Sequence, residues 1–175
     1  SVATNLSTSR MIDDVAKEYD CTTWRSAVGE ANVANAMKEH GCTIGGEGNG
    51  GIILPTVCWV RDSLSGMALV LDLMRRRNEK LSSIVQAIKP YEMIKRTIDL
   101  KDLGGIPAIE EEIARLEKEY AGATMDNSDG LRIDFDEGWI HVRPSNTEPI
   151  ARVIAEASDS LTAYKLAKRV KLGKN

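Results

Sequence analysis

The hydrophobic pattern of the chain changes at Pro90, and this change constrains the fold more than any other feature of the sequence. Before Pro90, helical and strand-like segments alternate, as they do in an α/β layer. After Pro90, a strand-like segment is followed by an amphipathic helix, several strands and a closing helix, which is typical of an α+β module. We therefore predict two domains, residues 1–90 and 91–175.

The first half is predicted to contain helices near residues 8–19, 30–41, 64–77 and 81–88, with strands at 21–25, 42–44 and from 52. Thr8 or Ser9 is expected to cap the first helix, and Gly41 is expected to end the second. Two apolar sets recur at helical spacing. These are Met11, Ile12, Val15, Ala16 and Tyr19 in the first helix, and Met67, Val70, Leu71 and Met74 in the third.

The second half is predicted to begin with a strand at residues 91–100 and to end with a helix at about 159–170. A hairpin at 131–142 should turn at Gly138, and another strand is expected at 151–157. The acidic run at 110–112 is interpreted as the solvated face of a helix. The apolar residues of that helix are Ile106, Ile109, Ile113, Leu116 and Tyr120.

The segment IGGEGNGGII, residues 44–53, matches the dinucleotide pattern G-x-G-x-x-G, but its context does not fit that function. The residues that follow the last glycine predict a short strand, whereas a pyrophosphate site needs a helix N-terminus. Glu47 would also repel phosphates. A carboxylate and an amide, Glu47 and Asn49, suit sugar hydroxyls instead. The alternative is a tight hairpin whose glutamate points to water.

A second chemically distinctive loop is HVRPSNTEPIAR, residues 141–152. Its arginines offer charge-assisted hydrogen bonds to an oxyanion, and its hydroxyl and amide groups can bind the remaining oxygens. The same residue types also form ordinary turns, so a plain turn is the alternative. The candidate anion-binding residues are Arg143, Ser145, Asn146, Thr147 and Arg152.

Composition excludes several classes of partner. The 175 residues carry a formal net charge of -3, so no broad basic field is available for nucleic acid or an anionic membrane. No apolar run reaches the length of a membrane span, and no signal sequence is recognisable, which predicts a cytoplasmic protein.

The three cysteines lack metal-ligand spacing, so we expect reduced thiols. Arg75, Arg76 and Arg77 are interpreted as a solvated helix end.

The two loops together resemble those of the α-D-phosphohexomutase family, which includes phosphoglucomutase, phosphomannomutase and phosphoglucosamine mutase enzymes. GGEGNGG is similar to the sugar-specificity loop of the family's third domain, and RPSNTEP is similar to the phosphate-binding loop of the fourth. WRSAVGEANVANAMKE is similar to a third-domain segment in which a basic residue and a glycine precede a helix. The resemblance covers essentially the whole chain. It implies a mixed α/β third domain and a small α+β fourth domain of the TATA-box-binding-protein type.

Carried over position by position, the resemblance implies two groups of binding residues. Glu47 and Asn49 would contact the sugar hydroxyls, and the pocket wall would include Arg25, Gly29 and Glu30. The substrate phosphate would be bound by Arg143, Ser145, Asn146 and Thr147, with Arg152 as a further contact.

Some positions depart from the family pattern. Many members have serine at the position of Asn49 and histidine at that of Gly51, and lysine is common at that of Arg25. The Asn-Gly-Gly form is similar to phosphoglucosamine mutase-like or archaeal-type members, and it leaves the preferred hexose open.

The chain has no D-x-D-x-D run and no serine in a Ser-His-Asn context, which are the family's metal and phosphoserine motifs. It therefore looks like a C-terminal fragment without domains 1 and 2 of the same polypeptide. For the full enzyme, the resemblance implies Mg²⁺ and a hexose bisphosphate activator. We expect the fragment to bind neither, and to contain no catalytic or metal-binding residue.

The implied activity is that of an isomerase, an intramolecular phosphotransferase that interconverts hexose 1-phosphate and hexose 6-phosphate. The fragment alone is predicted to bind substrate without turning it over. Two other classes stay open. One is a free-standing phosphosugar-binding module, and the other is a structural or interaction protein in which both loops are plain turns.

Overall fold

In the computed structural model of the chain, which describes residues 1–145 and 147–173, two compact units are present. The first is Ser1–Pro90 and the second begins at Tyr91. Each unit contains one sheet with helices packed on it, so the predicted mixture of α/β and α+β architecture is confirmed.

The first unit begins with a strand and alternates strands with helices. Its elements are β1 (Val2–Asn5), α1 (Met11–Glu18), β2 (Thr23–Ser26), α2 (Glu30–His40), β3 (Ile44–Gly46), β4 (Ile52–Ile53), α3 (Ser63–Arg77) and α4 (Leu81–Gln86).

The sheet of this unit has the order β2-β1-β3-β4, with β1 parallel to both β2 and β3, and β4 antiparallel to β3. Helix α2 covers one face through an apolar cluster. A Cβ atom on Gly45 would collide with the Met37 side chain, so glycine allows the helix to lie close to β3. The cluster consists of Ala3, Val33, Ala34, Met37, Cys42 and Ile53.

Strand β1 was not predicted, although it lies in the middle of the sheet. Its four residues, VATN, are too few to show a clear alternation of polar and apolar side chains. Parallel pairing with β2 and β3 selects the extended conformation there, and local sequence does not. The position of the strand matters because Asn5 ends it beside the glycine loop.

Helix ends were predicted with mixed success. Gly41 ends α2 in the left-handed conformation, with φ of 61°, as predicted. The cap predicted at Thr8 or Ser9 is wrong, because Arg10 is the residue before α1, although the Ser9 Oγ accepts a hydrogen bond from the Met11 N–H at 3.1 Å. Tyr19 lies beyond the end of α1 and is 60% exposed.

Helix α3 begins after Asp62, whose carboxylate accepts hydrogen bonds from the backbone N–H groups of Leu64 and Ser65, both at 3.1 Å. It ends in the predicted basic turn, where Asp72 pairs with Arg75 and Arg76. Its apolar residues are largely exposed, however, and Ser65 is the helix's buried residue.

The second unit begins with one strand and two helices, continues with four strands and ends with a helix. Its elements are β5 (Glu92–Asp99), α5 (Leu100–Leu103), α6 (Ile106–Glu119), β6 (Thr124–Asp126), β7 (Leu131–Asp134), β8 (Gly138–Pro144), β9 (Ile150–Ala157) and α7 (Ser160–Arg169).

These five strands form an antiparallel sheet in the order β5-β9-β8-β7-β6. Helices α6 and α7 pack on it through apolar residues that alternate along the strands. The predicted hairpin and the strand at 151–157 are confirmed as β7, β8 and β9, but the predicted turn at Gly138 is wrong, because Gly138 begins β8 and pairs with Phe135 across the turn. The buried residues at its centre include Leu131, Ile133, Ile140, Val142, Val153, Ala155 and Leu166.

One prediction about α6 is wrong. Glu112 does not belong to a solvated face but is only 7% exposed, and its carboxylate accepts hydrogen bonds from Arg115 at 2.7 and 2.8 Å and from the Lys171 N–H at 2.6 Å. Burial raises the pKa of Glu112, but these bonds outweigh it and the net pKa is lowered. At the start of the same helix, Ile106 is 49% exposed.

All three cysteines are free thiols, with Cys42 buried, Cys58 half-buried and Cys21 exposed. Across residues 1–145 and 147–173, no helix is both long and apolar enough to cross a membrane.

Candidate functional site

The glycine loop of the first unit lies at the edge of the sheet where the parallel strands end. Asn5 ends β1, Ser26 ends β2, and Glu47 follows β3. Because carboxyl ends of parallel strands meet at one edge, polar residues from distant parts of the chain converge there. In open α/β sheets, this edge is the usual place for a ligand site.

Glu47 is fixed by hydrogen bonds from two neighbouring segments. Its Oε1 accepts from the Asn5 Nδ2 at 2.6 Å and from the Gly29 N–H at 3.0 Å. Its Oε2 accepts from the Asn49 Nδ2 at 3.3 Å. A plain hairpin would leave this carboxylate in water, whereas here one oxygen is held by the body of the unit.

The rest of the loop is fixed by hydrogen bonds. The Thr8 Oγ1 accepts from the Gly48 N–H at 3.1 Å and donates to the Asn5 Oδ1 at 2.9 Å. The Asn49 Oδ1 accepts from the Gly51 N–H at 3.2 Å, and Gly50 has a left-handed φ of 88°. The exposed Asn49 and the half-buried Glu47 therefore lie side by side in a defined loop.

Gly29 and Glu30 support the loop from the start of α2. Gly29 has a φ of 130°, which an L side chain rarely adopts, and this conformation directs its N–H to Glu47. Glu30 accepts from the Arg61 N–H at 3.0 Å and from its Nε at 2.5 Å. These backbone and side-chain bonds hold the pKa of Glu30 below its ordinary value. A Cβ atom on Gly51 would lie 2.6 Å from the Arg61 Cδ.

Arg25 lies behind the loop. Its Nη1 donates to the carbonyl oxygens of Asn5 at 3.0 Å and Thr8 at 2.9 Å, and its Nη2 lies 2.6 Å from the Asp13 carboxylate. The guanidinium group thus joins β1 to the start of α1. These contacts position Asn5 and Thr8, the two side chains that hold Glu47 and Gly48.

The glycine loop offers both acceptors and donors for hydrogen bonds with a ligand. Glu47 Oε2 has only the long contact to Asn49 among the described residues, so it retains capacity for ligand donors. The Asn49 amide provides both a donor and an acceptor. A cavity of about 230 Å³ that is lined mostly by apolar groups, among them Val2, Ile12, Ile44 and Ile52, opens beside Glu47. This donor and acceptor set suits vicinal hydroxyls.

In the second unit, the loop between β8 and β9 carries the candidate anion-binding residues. The Ser145 N–H donates to the Ile150 carbonyl at 2.8 Å, and the Pro149 carbonyl accepts from the Leu100 N–H at 3.0 Å. Ser145 is half-buried, and Thr147 is exposed, with its N–H 3.5 Å from the Ser145 Oγ. Asn146 lies outside the described residues.

Arg143 is a buried cation at the end of β8. Its side chain is 8% exposed, and its Nε lies 3.4 Å from the Asp129 carboxylate, which is 12% exposed. Asp129 is held beside β8 by a turn in which Gly130 has a φ of 72°, and a Cβ atom there would lie 2.7 Å from the Arg143 Cβ. A glycine is therefore needed for the turn to approach Arg143.

His141 lies two residues before Arg143 and contacts the same turn. Its Nε2 is 2.7 Å from the Asp129 carbonyl oxygen, which can only accept a hydrogen bond, so Nε2 carries the proton. Burial lowers the pKa of His141 to about 4. The imidazole is therefore neutral at pH 7 and adds no charge to the loop.

Arg152 lies opposite Arg143 in the pairing of β8 with β9. Its Nη2 lies 2.6 Å from the Glu148 carboxylate, and its Nε has no hydrogen-bond partner within residues 1–145 and 147–173. Like charges directly opposite in a sheet repel, so an anion between the two guanidinium groups would relieve this repulsion.

The structure brings the predicted residues into two groups. Glu47, Asn49, Gly29, Glu30 and Arg25 form one connected set in the first unit, and Arg143, Ser145, Thr147 and Arg152 belong to one loop in the second. Sequence reasoning missed the residues that hold these groups in place. A signal existed for Asn5 and Thr8, because both belong to TNLSTS, a polar-rich segment that includes the end of β1 and the residues after it. The missed residues are Asn5, Thr8, Arg61, Asp129 and Glu148.

Among the residues that the structure describes, no group of three or more His, Cys, Asp or Glu side chains is placed to hold a metal ion.

Two family models match the chain in sequence order. The α/β/α domain III of phosphoglucomutase/phosphomannomutase matches residues 1–91, and the C-terminal domain of the same family matches residues 98–172.

Curated relatives match over most of this chain. A phosphoglucomutase/phosphomannomutase of Thermococcus kodakarensis is 36% identical over 156 residues, which is 89% of this chain and 34% of the relative. A probable phosphoglucosamine mutase of Methanopyrus kandleri is 34% identical over 94% of this chain and 36% of the relative. The chain thus spans about a third of the length of the curated relatives it matches.

Solved structures share the fold. A phosphoglucomutase/phosphomannomutase family protein from Burkholderia thailandensis superposes with a TM-score of 0.79 at 18% identity, covering 96% of this chain and 35% of that protein. An Aspergillus fumigatus N-acetylphosphoglucosamine mutase gives a TM-score of 0.65 at 16% identity, over 97% of this chain and 37% of that protein. The two domain models, which together match most of the chain, show that it belongs to the phosphoglucomutase/phosphomannomutase family and corresponds to that family's domain III and C-terminal domain.

Proposed function

We propose that the chain is the substrate-binding C-terminal part of a phosphohexomutase that interconverts hexose 1-phosphate and hexose 6-phosphate. The observation that carries the proposal is the fixed carboxylate of Glu47 in a glycine loop of domain III. A family match alone gives the fold, whereas this loop offers the chemistry that a sugar needs. The proposal assigns residues 1–90 to the sugar-binding domain and 91–175 to the phosphate-binding domain.

In this proposal, Glu47 and Asn49 bind the hydroxyl groups of the hexose. A carboxylate accepts hydrogen bonds from two neighbouring hydroxyls, and the amide of Asn49 donates to one and accepts from another. Because Asn5 and Gly29 already hold Oε1, little conformational freedom is lost when the sugar binds. The loop would therefore select a hexose by the direction of its hydroxyls.

The phosphate that does not react would be bound by the β8–β9 loop. Arg143 and Arg152 supply positive charge, while Ser145 and Thr147 supply hydroxyl and backbone donors. Asn146 belongs to the same proposed set. Since Arg143 and Arg152 each contact a carboxylate, an arriving phosphate would compete with Asp129 and Glu148.

This chain would contribute binding and positioning to the whole enzyme, and no residue in it is proposed to react. Holding the phosphate at one end of a hexose and the hydroxyls between would direct the other end toward the reacting group. A. fumigatus N-acetylphosphoglucosamine mutase has been solved with glucose 1,6-bisphosphate and with GlcNAc-6P and magnesium. We extend the bisphosphate and Mg²⁺ to the full enzyme, with the metal held outside this chain, and propose a cytoplasmic location.

The first test is binding and turnover by the chain itself. If the chain is half of a site, hexose phosphates should bind with a Kd of roughly 1 mM or weaker, measured by NMR titration, and no mutase activity should be detectable. A free-standing phosphosugar-binding module would instead bind with a Kd in the roughly micromolar range. Turnover of hexose 1-phosphate by the chain alone would contradict the proposal that it is only the binding part.

The second test concerns Glu47. Glu47→Gln should weaken binding of the preferred hexose phosphate roughly tenfold, because a charge-assisted acceptor is lost, and should leave inorganic phosphate binding unchanged. Glu39→Gln removes an exposed carboxylate from α2 and serves as the control. Equal losses for all hexose phosphates and for inorganic phosphate would contradict sugar recognition by this loop.

A further inference from the structure

Arg61 is a cation that borders the glycine loop, although ten positions of the sequence separate it from Gly51. It directly precedes Asp62, the residue before α3, and the Asp62 N–H donates to the Ile52 carbonyl oxygen at 2.8 Å. Ile52 begins β4, the strand that follows the glycine loop. The fold therefore brings an arginine next to the loop that contains Glu47.

The aliphatic part of the Arg61 side chain lies directly against Gly51. A Cβ atom on Gly51 would lie 2.6 Å from the Arg61 Cδ, 3.1 Å from its Cγ and 3.2 Å from its Cβ. A larger residue at position 51 would therefore displace the arginine. The N–H of the same glycine donates to the Asn49 Oδ1 at 3.2 Å. Gly51 thus allows Arg61 to lie next to the segment that carries Asn49.

The guanidinium group of Arg61 is fixed at its inner end. The Glu30 carboxylate accepts hydrogen bonds from the Arg61 N–H at 3.0 Å and from its Nε at 2.5 Å. Within residues 1–145 and 147–173, the terminal nitrogens Nη1 and Nη2 have no hydrogen-bond partner, and the side chain is 45% exposed. These donors are accessible and already oriented, so little conformational freedom is lost when they bind a ligand.

Arg61 and Glu47 both contact the start of α2. The Gly29 N–H donates to the Glu47 Oε1 at 3.0 Å, and the next residue, Glu30, holds Arg61. The carboxylates of Glu47 and Glu30 therefore lie around one helix N-terminus, where negative charge is favourable, and Arg61 lies beside them. The loop thus has an acceptor and a cationic donor on neighbouring residues of the same helix end.

The glycine loop by itself offers a hexose more acceptors than donors. A sugar hydroxyl donates one hydrogen bond and also has lone pairs that accept. Glu47 only accepts, and the Asn49 Nδ2 already donates to the Glu47 Oε2 at 3.3 Å. The Thr8 hydroxyl donates its proton to the Asn5 Oδ1 at 2.9 Å. The lone pairs of bound hydroxyls therefore need a further donor.

We propose that Arg61 supplies this donor and is a further sugar-binding residue of the first unit. The inference rests on the proposed function, because it gives a second partner to the hydroxyls that Glu47 binds. Glu47 accepts the proton of a hydroxyl, and an Arg61 Nη group donates to a hydroxyl oxygen. The ligand is the sugar part of a hexose phosphate, because Glu30 already balances the charge of Arg61 and Glu47 repels a phosphate group.

The test is an NMR titration of the whole chain, observed at the Arg61 Nε–H signal, which is assigned by its absence from Arg61→Gln. The probe is whichever of glucose 6-phosphate, mannose 6-phosphate and glucosamine 6-phosphate binds the wild type most tightly. It should shift the Arg61 signal with the same Kd as the backbone signals of the glycine loop, whereas inorganic phosphate should leave it unchanged. An Arg61 signal that stays constant at saturation would overturn the proposal.

Substitution of Arg61 provides the second measurement. Arg61→Gln should weaken binding of the probe roughly fivefold, because hydrogen bonds to the sugar are lost. Arg61→Lys keeps a cation for Glu30 but lacks the planar fork, so it should bind as weakly as Arg61→Gln. Arg76→Gln, at an arginine that is 71% exposed on α3, is the matched control and should bind as the wild type does. Full rescue by lysine would overturn the proposal, because Arg61 would then act only on Glu30.

A direct contact with a hydroxyl also predicts a selective response to the ligand. The probe is compared with its analogues that each lack one ring hydroxyl. For one of these analogues, Arg61→Gln should bind as tightly as the wild type, because the contact is already missing. Equal weakening of the probe and of every analogue would overturn the proposal, because it would indicate a long-range effect of charge. Thermal unfolding confirms that each variant is folded.

Failure of this inference can be distinguished from failure of the proposed function. If Glu47→Gln weakens binding of the probe and Arg61→Gln does not, only the assignment of Arg61 is wrong. If none of the hexose phosphates binds the wild type, the proposed function is contradicted and the assignment of Arg61 fails with it.

Discussion

The glycine loop of the first unit and the β8–β9 loop of the second differ in the way they are held. Glu47 and Gly48 receive neutral partners from outside the loop, namely Asn5, Gly29 and Thr8. The arginines of the β8–β9 loop are instead paired with carboxylates. A polyol site can therefore be set in advance by neutral groups, whereas an anion site contains cations that need counter-charges until the anion arrives.

The difference predicts opposite responses to substitution. Removing a neutral hydrogen-bond partner of the glycine loop should loosen a side chain and lower the free energy of unfolding only modestly. Removing one member of a buried ion pair in the β8–β9 region should leave the other charge uncompensated and lower the free energy of unfolding further.

The largest effect is expected for Arg143→Ala. It leaves the Asp129 carboxylate, 12% exposed, without its buried cation, and should lower the free energy of unfolding by about 3 kcal/mol. Urea denaturation measures this loss, and inorganic phosphate binding should disappear as well. Arg143→Lys keeps the charge and should lose less. An unfolding free energy close to that of the wild type would show that the Arg143–Asp129 pair does not support the fold.

The next effect is a dependence of stability on pH. His141 has a pKa of about 4 in the folded chain and 6.5 as its ordinary value, so protons bind the unfolded chain more tightly. The stabilisation is complete above pH 6.5 and is lost as the pH falls toward 4. Between pH 7 and 5 the unfolding free energy should fall by about 2 kcal/mol.

The matched measurement is urea denaturation of His141→Gln over the same range. This variant should be less stable at pH 7 and should lose much less stability between pH 7 and 5. The same slope in both proteins would mean that another group causes the acid sensitivity.

A smaller effect is expected for Asn5→Leu in the glycine loop. Asn5 is 4% exposed and its Nδ2 donates to Glu47 at 2.6 Å, so the variant should lose about 1.5 kcal/mol of unfolding free energy. Hexose phosphate binding should weaken while inorganic phosphate binding is retained. Asn32→Leu, at an exposed asparagine that donates to the Val28 carbonyl, is the control. Equal losses in both variants would argue against a specific role for Asn5.

The smallest effect is expected for Glu148→Gln. The Arg152–Glu148 pair is 41% and 54% exposed, so it adds little stability, but it competes with an incoming anion. The variant should bind inorganic phosphate roughly threefold more tightly, with the difference decreasing at high salt. Glu110→Gln removes a carboxylate from α6 as the control. Weaker binding by Glu148→Gln would indicate that Glu148 orients Arg152 for the phosphate.

The sequence was sufficient for features that depend on near neighbours. The helix end at Gly41, strand β5 and the glycine loop each follow from short stretches of residues, and all were predicted. The support of Glu47 by Asn5 joins residues 42 positions apart, and that of Arg143 by Asp129 depends on a turn around Gly130. Local patterns contain no information about which distant side chains meet, so these partners emerged only from the fold.

Helix α3 and Glu112 show a second reason for incomplete prediction. Periodicity shows that residues are apolar, but it does not show what covers them, and Met67 and Leu71 are exposed. An acidic residue in a helix usually faces water, yet Arg115 makes burial of Glu112 favourable. For Glu112 the outcome depends on Arg115 and on the Lys171 N–H, and the acidic run itself gives no sign of either contact.

The glycine loop also joins β3 to β4, and β4 is the last strand of its sheet. The hairpin pairs with the sheet on one side only, and its tip is bonded to Asn5, Gly29 and Thr8 through the Glu47 carboxylate and the Gly48 N–H. The remaining tip residues can therefore change in sequence while these partners keep their places. If Glu47 and Asn49 bind the sugar as proposed, exchange of the other tip residues would change sugar preference without disturbing the sheet. The same property makes the hairpin a convenient position for grafting the tip of one relative onto another.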